Sequence, residues 1–118
     1  MEKVKEGLEI AAEILVRVAV ALVLGAFLLG YRVLFVMSGS MEPMIREGQM
    51  IVVRRVDDGD ELQIGDIITY QRPEGDYSVT HRIVRVTADG YVTKGDYNVY
   101  EDQKVVEPWM VRYRAVWW

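Results

Sequence analysis

The chain has 118 residues, a hydrophobic fraction of 51% and a formal net charge of −4, which together indicate one small domain rather than two. An acidic balance without zinc-finger spacing or an RNP-like aromatic motif excludes the usual nucleic-acid-binding classes, so no nucleic acid is expected among its partners. Because the chain has no cysteine, disulfides, thiolate metal sites and a cysteine nucleophile are excluded as well.

The first predicted element is a long apolar helix. Residues 18–31 carry no charge, and extension back to Ile10 reaches the roughly twenty residues that a membrane-spanning helix needs. Glu13 and Arg17 then fall inside the segment, where their spacing of four lets them pair on one helix face. No small-residue cleavage site follows the apolar run, which argues against a cleaved signal peptide. A buried core helix is also disfavoured, because a helix that is apolar all round is hard to bury against so small a domain. We therefore predict a transmembrane anchor helix over residues 1–33.

Positive charges indicate the orientation of this helix. Lys3, Lys5 and Arg17 lie on its N-terminal side, whereas Arg32 is the one positive charge just past its end. Because positively charged flanks tend to stay in the cytoplasm, the rest of the chain is predicted to be extracytoplasmic. The sequence thus predicts a single-pass membrane protein, with the lipid bilayer as a partner.

The remainder, residues 34–118, changes to a strand-like pattern. Short β-branched and aromatic runs are separated by turn residues, and the pair Asp89-Gly90 is typical of a hairpin. The predicted strands cover residues 50–54, 67–70, 79–86, 91–93 and 111–118. This pattern predicts a mainly β fold, with a small, antiparallel, partly closed β-domain after the helix. The last run stops abruptly at Trp118, which leaves a truncation at the C-terminus open.

Two parts of this domain carry residues suited to hydrolysis. The one histidine, His81, lies in a predicted strand that places it on the same face as Val79 and Ile83. With no cysteine, a hydrolytic nucleophile has to be serine or threonine, and a base that works at neutral pH is most naturally histidine. Residues 38–43, SGSMEP, place two serines around a glycine in a turn. Taken alone, these features fit a packed core histidine and an ordinary turn.

Four blocks in order resemble the signal peptidase I family. They are SGSMEP, then REGQMIVVRR, then GDIITY with THRIVRV, and finally TKGDYNVYED, within residues 34–102. His81 stands where the bacterial branch of that family carries a lysine, so the chain resembles the archaeal and endoplasmic-reticulum branch, which uses histidine. Tyr97 replaces the first asparagine of the GDNN block that is common in the family. The resemblance implies a membrane-anchored serine endopeptidase that removes signal peptides during protein secretion, located in the cell membrane or the endoplasmic-reticulum membrane.

The resemblance also implies roles for individual residues. Ser40 is expected to be the nucleophile and His81 the general base. The hydroxyl of Ser38 and the N–H of Ser40 are expected to form the oxyanion hole. Asp102 is the expected orienting acid of a triad, with Asp96 as a supporting acid. The residues by themselves leave the choice between these two aspartates open.

Secretory preproteins are the partners that the resemblance implies, with further subunits of a processing complex left open. Met41 and Pro43 are expected to help build shallow pockets for small substrate residues, although ordinary packing fits them equally well. Four aromatic residues fit either the membrane interface or the β-core: Phe35, Trp109, Trp117 and Trp118.

No cofactor and no metal site are expected. The acidic run at residues 57–61 lacks the spacing of a calcium-binding loop and is interpreted as a solvated loop. The alternative function is that of a non-catalytic membrane-anchored binding module or a silent subunit of a processing complex. Such a protein has no chemical need to keep a serine, a histidine and two aspartates together.

Overall fold

The computed structural model describes all 118 residues, which divide into two compact units, Met1–Tyr31 and Arg32–Trp118. The first unit is one helix, α1 (Glu2–Leu28), in which no residue is buried. Its length is about 40 Å at 1.5 Å per residue, and its most apolar window of 18 residues has a mean hydropathy of 2.3. Glu13 and Arg17 pair across one turn with an Oε2–Nη2 distance of 3.7 Å. By length and composition, α1 is able to cross a membrane, as the sequence predicted.

Helix α1 ends before residue 33, where the anchor segment was predicted to end. The N–H of Leu29 donates to Gly25 O and the N–H of Gly30 to Phe27 O, each at 3.0 Å, which closes the last turn. Gly30 has φ +93°, a left-handed conformation that L side chains rarely adopt, so the helix does not continue through it. A strand follows directly, and the sequence pattern did not predict it.

The second unit is built on a six-stranded antiparallel sheet. Its strands in chain order are β1 (Tyr31–Phe35), β2 (Met50–Arg55), β3 (Ile67–Gln71), β4 (Ser78–Thr87), β5 (Gly90–Lys94) and β6 (Val111–Trp117). Their spatial order is β1-β2-β6-β3-β4-β5, so β1 and β5 are the edges and the sheet is not closed. The mainly β class is confirmed, and the five predicted strands agree with the structure within one residue at each end.

The core consists of two apolar layers, one on each face of the central strand β3. Alternation along the strand sends Ile67 to one layer and Ile68 to the other, and each is at most 1% exposed. The first layer comprises Val36, Met41, Ile45, Ile51, Val53, Ile67 and Ala115. The second comprises Leu62, Ile68, Tyr70, Ile83, Val106, Met110 and Val111. Burial of each large aliphatic side chain contributes about 1.5–3 kcal/mol before the entropy cost of folding.

Strand register brings three polar side chains onto the face of the second layer. His81 lies opposite Ile68, and Ile83 lies opposite Thr93. Directly paired residues of antiparallel strands point the same way, as do alternate residues of one strand. Tyr70, His81 and Thr93 therefore share one face of three neighbouring strands.

The aromatic residues near the ends of the sheet unit are exposed rather than packed. Their exposed fractions are 62% for Phe35, 57% for Trp109, 57% for Trp117 and 41% for Trp118. The alternative that these side chains pack in the β-core is therefore wrong. A role at the membrane interface stays a prediction.

Candidate active site

Ser40 lies in the loop between β1 and β2, and two backbone contacts hold it in place. Its carbonyl oxygen accepts the N–H of Tyr97 at 2.9 Å, while the N–H of Glu42 donates to Gly39 O at 3.1 Å. The next residue, Met41, is completely buried in the first apolar layer. The turn is thus held by the packing of Met41 in the core and by the hydrogen bond from Tyr97, which lies in the segment after β5.

Ser40 is connected to His81 and Asp102 by two consecutive hydrogen bonds. Ser40 Oγ lies 3.1 Å from His81 Nε2, and His81 Nδ1 lies 2.6 Å from Asp102 Oδ2. A carboxylate can only accept, so Nδ1 carries the proton and Nε2 accepts from the serine hydroxyl. His81 is 8% exposed, and the carboxylate therefore fixes both the tautomer and the orientation of a nearly buried ring.

Ser38 places a second hydroxyl next to the first. Its Oγ lies 3.1 Å from the Oγ of Ser40. Because Ser40 has one proton and directs it to His81, Ser38 is the donor in this contact. The structure thus brings Ser38, Ser40, His81 and Asp102 together in one chain of hydrogen bonds.

The other acids of the KGDYNVYED block have different partners. Asp96 binds Arg82 through two parallel bonds, Nε–Oδ1 and Nη2–Oδ2, both 2.9 Å long. The hydrogen bond to Asp96 raises the pKa of Arg82 above its ordinary value. Glu101 pairs with Arg85 at 2.8 and 3.1 Å. Asp102 is therefore the acid of this block that contacts the histidine, and Asp96 lies beside the site in an ion pair.

Two buried hydroxyls that sequence reasoning missed also contact Asp102. Thr93 Oγ1 donates to Asp102 Oδ2 at 2.7 Å and Tyr70 Oη to the same oxygen at 3.4 Å. Thr93 is 0% exposed and Tyr70 2% exposed. Burial raises the pKa of Tyr70 above its ordinary value of 10.0, so the phenol keeps its proton and acts as a donor. The sequence offered one signal for them: Tyr70 and Thr93 are polar residues in predicted strands, at positions that face the same side of the sheet as His81.

Ser38, Ser40 and His81 line a mostly apolar cleft of about 600 Å³. It is lined by Leu34, Phe35, Val36, Met37, Ser38, Ser40, Thr69, Tyr77, Ser78, Val79, Thr80, His81, Asn98 and Tyr113. Met41 and Pro43 are not in this lining, because Met41 belongs to the core and Pro43 is exposed elsewhere. A second cavity of similar size, at the acidic loop beside Trp109, contains neither a serine nor a histidine. No three histidine or acidic side chains of the chain converge as metal ligands.

Comparison with known proteins finds a family whose model covers most of the chain. The model of the family described as "Signal peptidase, peptidase S26" matches residues 7–115. The chain is 42% identical over 87 residues to Signal peptidase I W of Bacillus subtilis, covering 70% of this chain and 45% of that protein.

Relatives named as subunits of a complex are also similar. The chain is 30% identical over 77 residues to the Signal peptidase complex catalytic subunit SEC11 of Fusarium vanettenii. It is 34% identical over 77 residues to the protein of the same name in Neurospora crassa. Each match covers 62% of this chain and 45% of the relative, so the chain spans about half the length of the curated relatives it matches. No solved structure matches the chain.

Proposed function

Because the chain belongs to the signal peptidase family, peptidase S26, we propose that it is a serine endopeptidase that removes signal peptides from secretory preproteins. The observation that carries this proposal is the Ser40–His81–Asp102 chain of hydrogen bonds at an apolar cleft. Further support comes from the relatives, which are named as signal peptidases or as catalytic subunits of a signal peptidase complex.

The proposed reaction uses Ser40 as nucleophile and His81 as the group that moves the proton. As Ser40 Oγ bonds to the scissile carbonyl carbon, its proton passes to His81 Nε2, 3.1 Å away. The carboxylate of Asp102 stabilises the imidazolium that results. His81 then protonates the leaving amine as the peptide bond breaks, which leaves an acyl-enzyme on Ser40. A water molecule then attacks the ester carbonyl and gives its proton to His81. His81 passes a proton to Ser40 Oγ as the ester bond breaks, and the acyl part of the substrate leaves as a carboxylic acid.

The oxyanion of the tetrahedral intermediate needs donors that are already in place. Ser38 Oγ lies 3.1 Å from the attacking oxygen, on the exposed side of the turn. We assign its hydroxyl and the N–H of Ser40 to this task. Loss of one such donor costs about 10²–10³ in rate, so Ser38→Ala is expected to impair cleavage without abolishing it.

The substrate is proposed to bind in extended form along the edge strand β1. This strand contributes Leu34 and Phe35 to the cleft, and one of its sides is unpaired in the sheet. An extended peptide can add to such an edge through main-chain hydrogen bonds. The mostly apolar lining suits apolar side chains next to the scissile bond.

Helix α1 is proposed to anchor the peptidase in the bilayer, with the sheet unit on the extracytoplasmic side. A signal peptide carries its cleavage site just beyond an apolar membrane-spanning segment. Tethering enzyme and substrate to the same membrane raises their effective concentration. All three triad residues come from this chain, so the proposed chemistry requires no residue from another subunit.

The test is cleavage of a preprotein in liposomes by the wild type, Ser40→Ala and His81→Ala. Either substitution is expected to lower turnover by at least about 10⁴-fold, since the two side chains act as one unit. Matching melting curves would show that the variants remain folded. Normal turnover by Ser40→Ala would overturn the mechanism. Preprotein binding without cleavage by the wild type would instead favour the non-catalytic binding module.

A further inference from the structure

We propose that the buried hydroxyls of Thr93 and Tyr70 are positioning residues that hold the carboxylate of Asp102 against His81. This inference rests on the proposed function and extends it from the triad to the groups behind it. Neither residue belongs to the serine turn, and Tyr70 lies 32 positions before Asp102 in the chain.

One oxygen of Asp102 is the meeting point of all three donors. Asp102 Oδ2 lies 2.6 Å from His81 Nδ1, 2.7 Å from Thr93 Oγ1 and 3.4 Å from Tyr70 Oη. The two hydroxyls are themselves 3.4 Å apart. Hydrogen bonds to an ionised acceptor are stronger than neutral ones, and Thr93 therefore makes a substantial contact. The longer contact from Tyr70 contributes less.

Thr93 and Tyr70 lie in strands of the sheet, whereas Asp102 does not. Asp102 lies outside the strands, and its side chain remains 22% exposed. Thr93 lies in β5 and Tyr70 in β3, on either side of the strand that carries His81. The N–H of Asp102 also donates to Thr93 O at 2.8 Å. The sheet thus fixes the ring and both hydroxyls, and the hydroxyls fix the carboxylate of a loop residue.

Two basic side chains lie on the open side of this group. Arg72 and Lys104 line the open side of the site next to Asp102. The guanidinium of Arg72 lies 5.4 Å from the ring centroid of Tyr70. Tyr70 keeps its proton for the reason given above, and a threonine hydroxyl has one proton to donate. The protons of His81 Nδ1, Thr93 Oγ1 and Tyr70 Oη are therefore all directed towards Asp102 Oδ2.

The first experiment compares Thr93→Val with Thr93→Ser in preprotein cleavage. Valine keeps the shape and the β-branch but removes the donor, so kcat is expected to fall about tenfold or more, the equivalent of one hydrogen bond to a charged group. KM is expected to stay unchanged, because a side chain with 0% exposure does not touch substrate. Serine keeps the donor and is expected to retain most of the activity. Wild-type kcat for Thr93→Val would overturn the proposal.

A double-mutant cycle separates positioning from packing. If Thr93 acts through Asp102, Thr93→Val is expected to cause no further loss of kcat in the Asp102→Asn background. An equal fractional loss in both backgrounds would mean that Thr93 matters for packing alone, and the proposal would be wrong.

A spectroscopic test does not depend on activity. The chain contains a single histidine, so the imidazole ¹⁵N signals of the detergent-solubilised protein report on His81 alone. Thr93→Val is expected to increase the share of the tautomer protonated at Nε2, because a less constrained carboxylate holds Nδ1–H less firmly. An unchanged tautomer population would contradict the proposal.

Three further results of these experiments have different consequences. If Thr93→Val does not melt cooperatively, Tyr70→Phe takes its place, with a smaller shift of the tautomer in the same direction expected and no shift counting against the proposal. If the wild type cleaves no preprotein but the tautomer responds, the proposed function fails while the positioning role stands. If the wild type cleaves and the tautomer does not respond, the positioning role fails alone.

Discussion

At the scale of single residues, Gly95 occupies a point where three parts of the site meet. A Cβ added there would lie 2.6 Å from Ser40 O, 2.7 Å from Asn98 Nδ2 and 3.1 Å from His81 Nε2. Its φ is not positive, so the requirement for glycine here is one of space. Any side chain at this position therefore requires the backbone at Ser40 or the side chain of Asn98 to shift.

Gly95→Ala is therefore expected to lower kcat about 10²-fold, the usual effect of displacing catalytic groups by an ångström. Gly75→Ala is the matched control, because a Cβ at that position meets its nearest atoms at an ordinary 3.9 Å. Preprotein cleavage rates of the two variants provide the comparison. Equal activities would show that the contacts around Gly95 can relax without cost.

The two aspartates are expected to differ sharply in kinetics. Asp102→Asn replaces the acceptor for His81 Nδ1–H with a group that favours the wrong tautomer, and kcat is expected to fall about 10³–10⁴-fold. Asp96→Asn disrupts the ion pair with Arg82 and is expected to reduce stability more than turnover. Parallel measurements of kcat and urea unfolding test both. A larger kinetic loss for Asp96→Asn would overturn the assignment of Asp102 to the triad.

Sequence reasoning could supply the residue types of the site but not all of the contacts. Ser40 and His81 stand in motifs that can be recognised locally, and the structure puts them in contact. Asp96 and Asp102 lie in an irregular segment without a period, so only the positions of His81 and Arg82 in three dimensions distinguish their contacts. Met41 could not be placed from the sequence, because a turn residue gives no alternation from which to derive burial.

At the scale of elements, strand β3 connects the core to the site, because Tyr70 belongs to both. Burial raises the pKa of Tyr70 above 10.0, so the unfolded chain loses this proton more readily than the folded one. The stabilising contribution is fully present below the ordinary value and is lost as the pH rises through the folded pKa.

Alkaline unfolding is therefore expected to depend on Tyr70. The free energy of unfolding of the wild type is expected to fall more steeply above about pH 10 than that of Tyr70→Phe. Urea titrations in detergent at several alkaline pH values measure both slopes. Parallel slopes would mean that the pKa of Tyr70 is the same in the folded and the unfolded chain.

Strand positions could be predicted from local sequence more reliably than strand order. Five strands were predicted within one residue because turn residues and β-branched runs mark them locally. Strand β1 was missed because its apolar side chains continue the apolar run of α1, and periodicity does not separate a short strand from a helix end. The placement of β6 between β2 and β3 depends on pairing across most of the unit, which no local pattern records.

At the scale of the whole molecule, strand β6 joins the two halves of the sheet. β6 pairs with β2 on one side and with β3 on the other, so the two halves of the sheet are joined by the last residues of the chain. One half contains the strand before the nucleophile loop and the other contains His81. The geometry of the site therefore depends on contacts of long sequence separation, which form late and slowly in β proteins.

The proposed topology can be tested because the chain has no cysteine. Glu2→Cys and Asp76→Cys each introduce a single thiol at an exposed position, one at the start of α1 and one in the sheet unit. If the positive charges before the apolar core keep the N-terminus in the cytoplasm, a membrane-impermeant maleimide added to intact cells is expected to label Asp76→Cys. Glu2→Cys is expected to react only after permeabilisation, and the cysteine-free wild type serves as the blank.

The reverse labelling pattern would place the cleft on the cytoplasmic side, away from the side on which translocated preproteins present their cleavage sites. A peptidase of the proposed kind then could not meet its substrates, even with Ser40, His81 and Asp102 in contact. Labelling of both variants in intact cells would mean that α1 does not span the bilayer. The geometry of the site and the direction of α1 are therefore separate requirements, and the proposed function needs both.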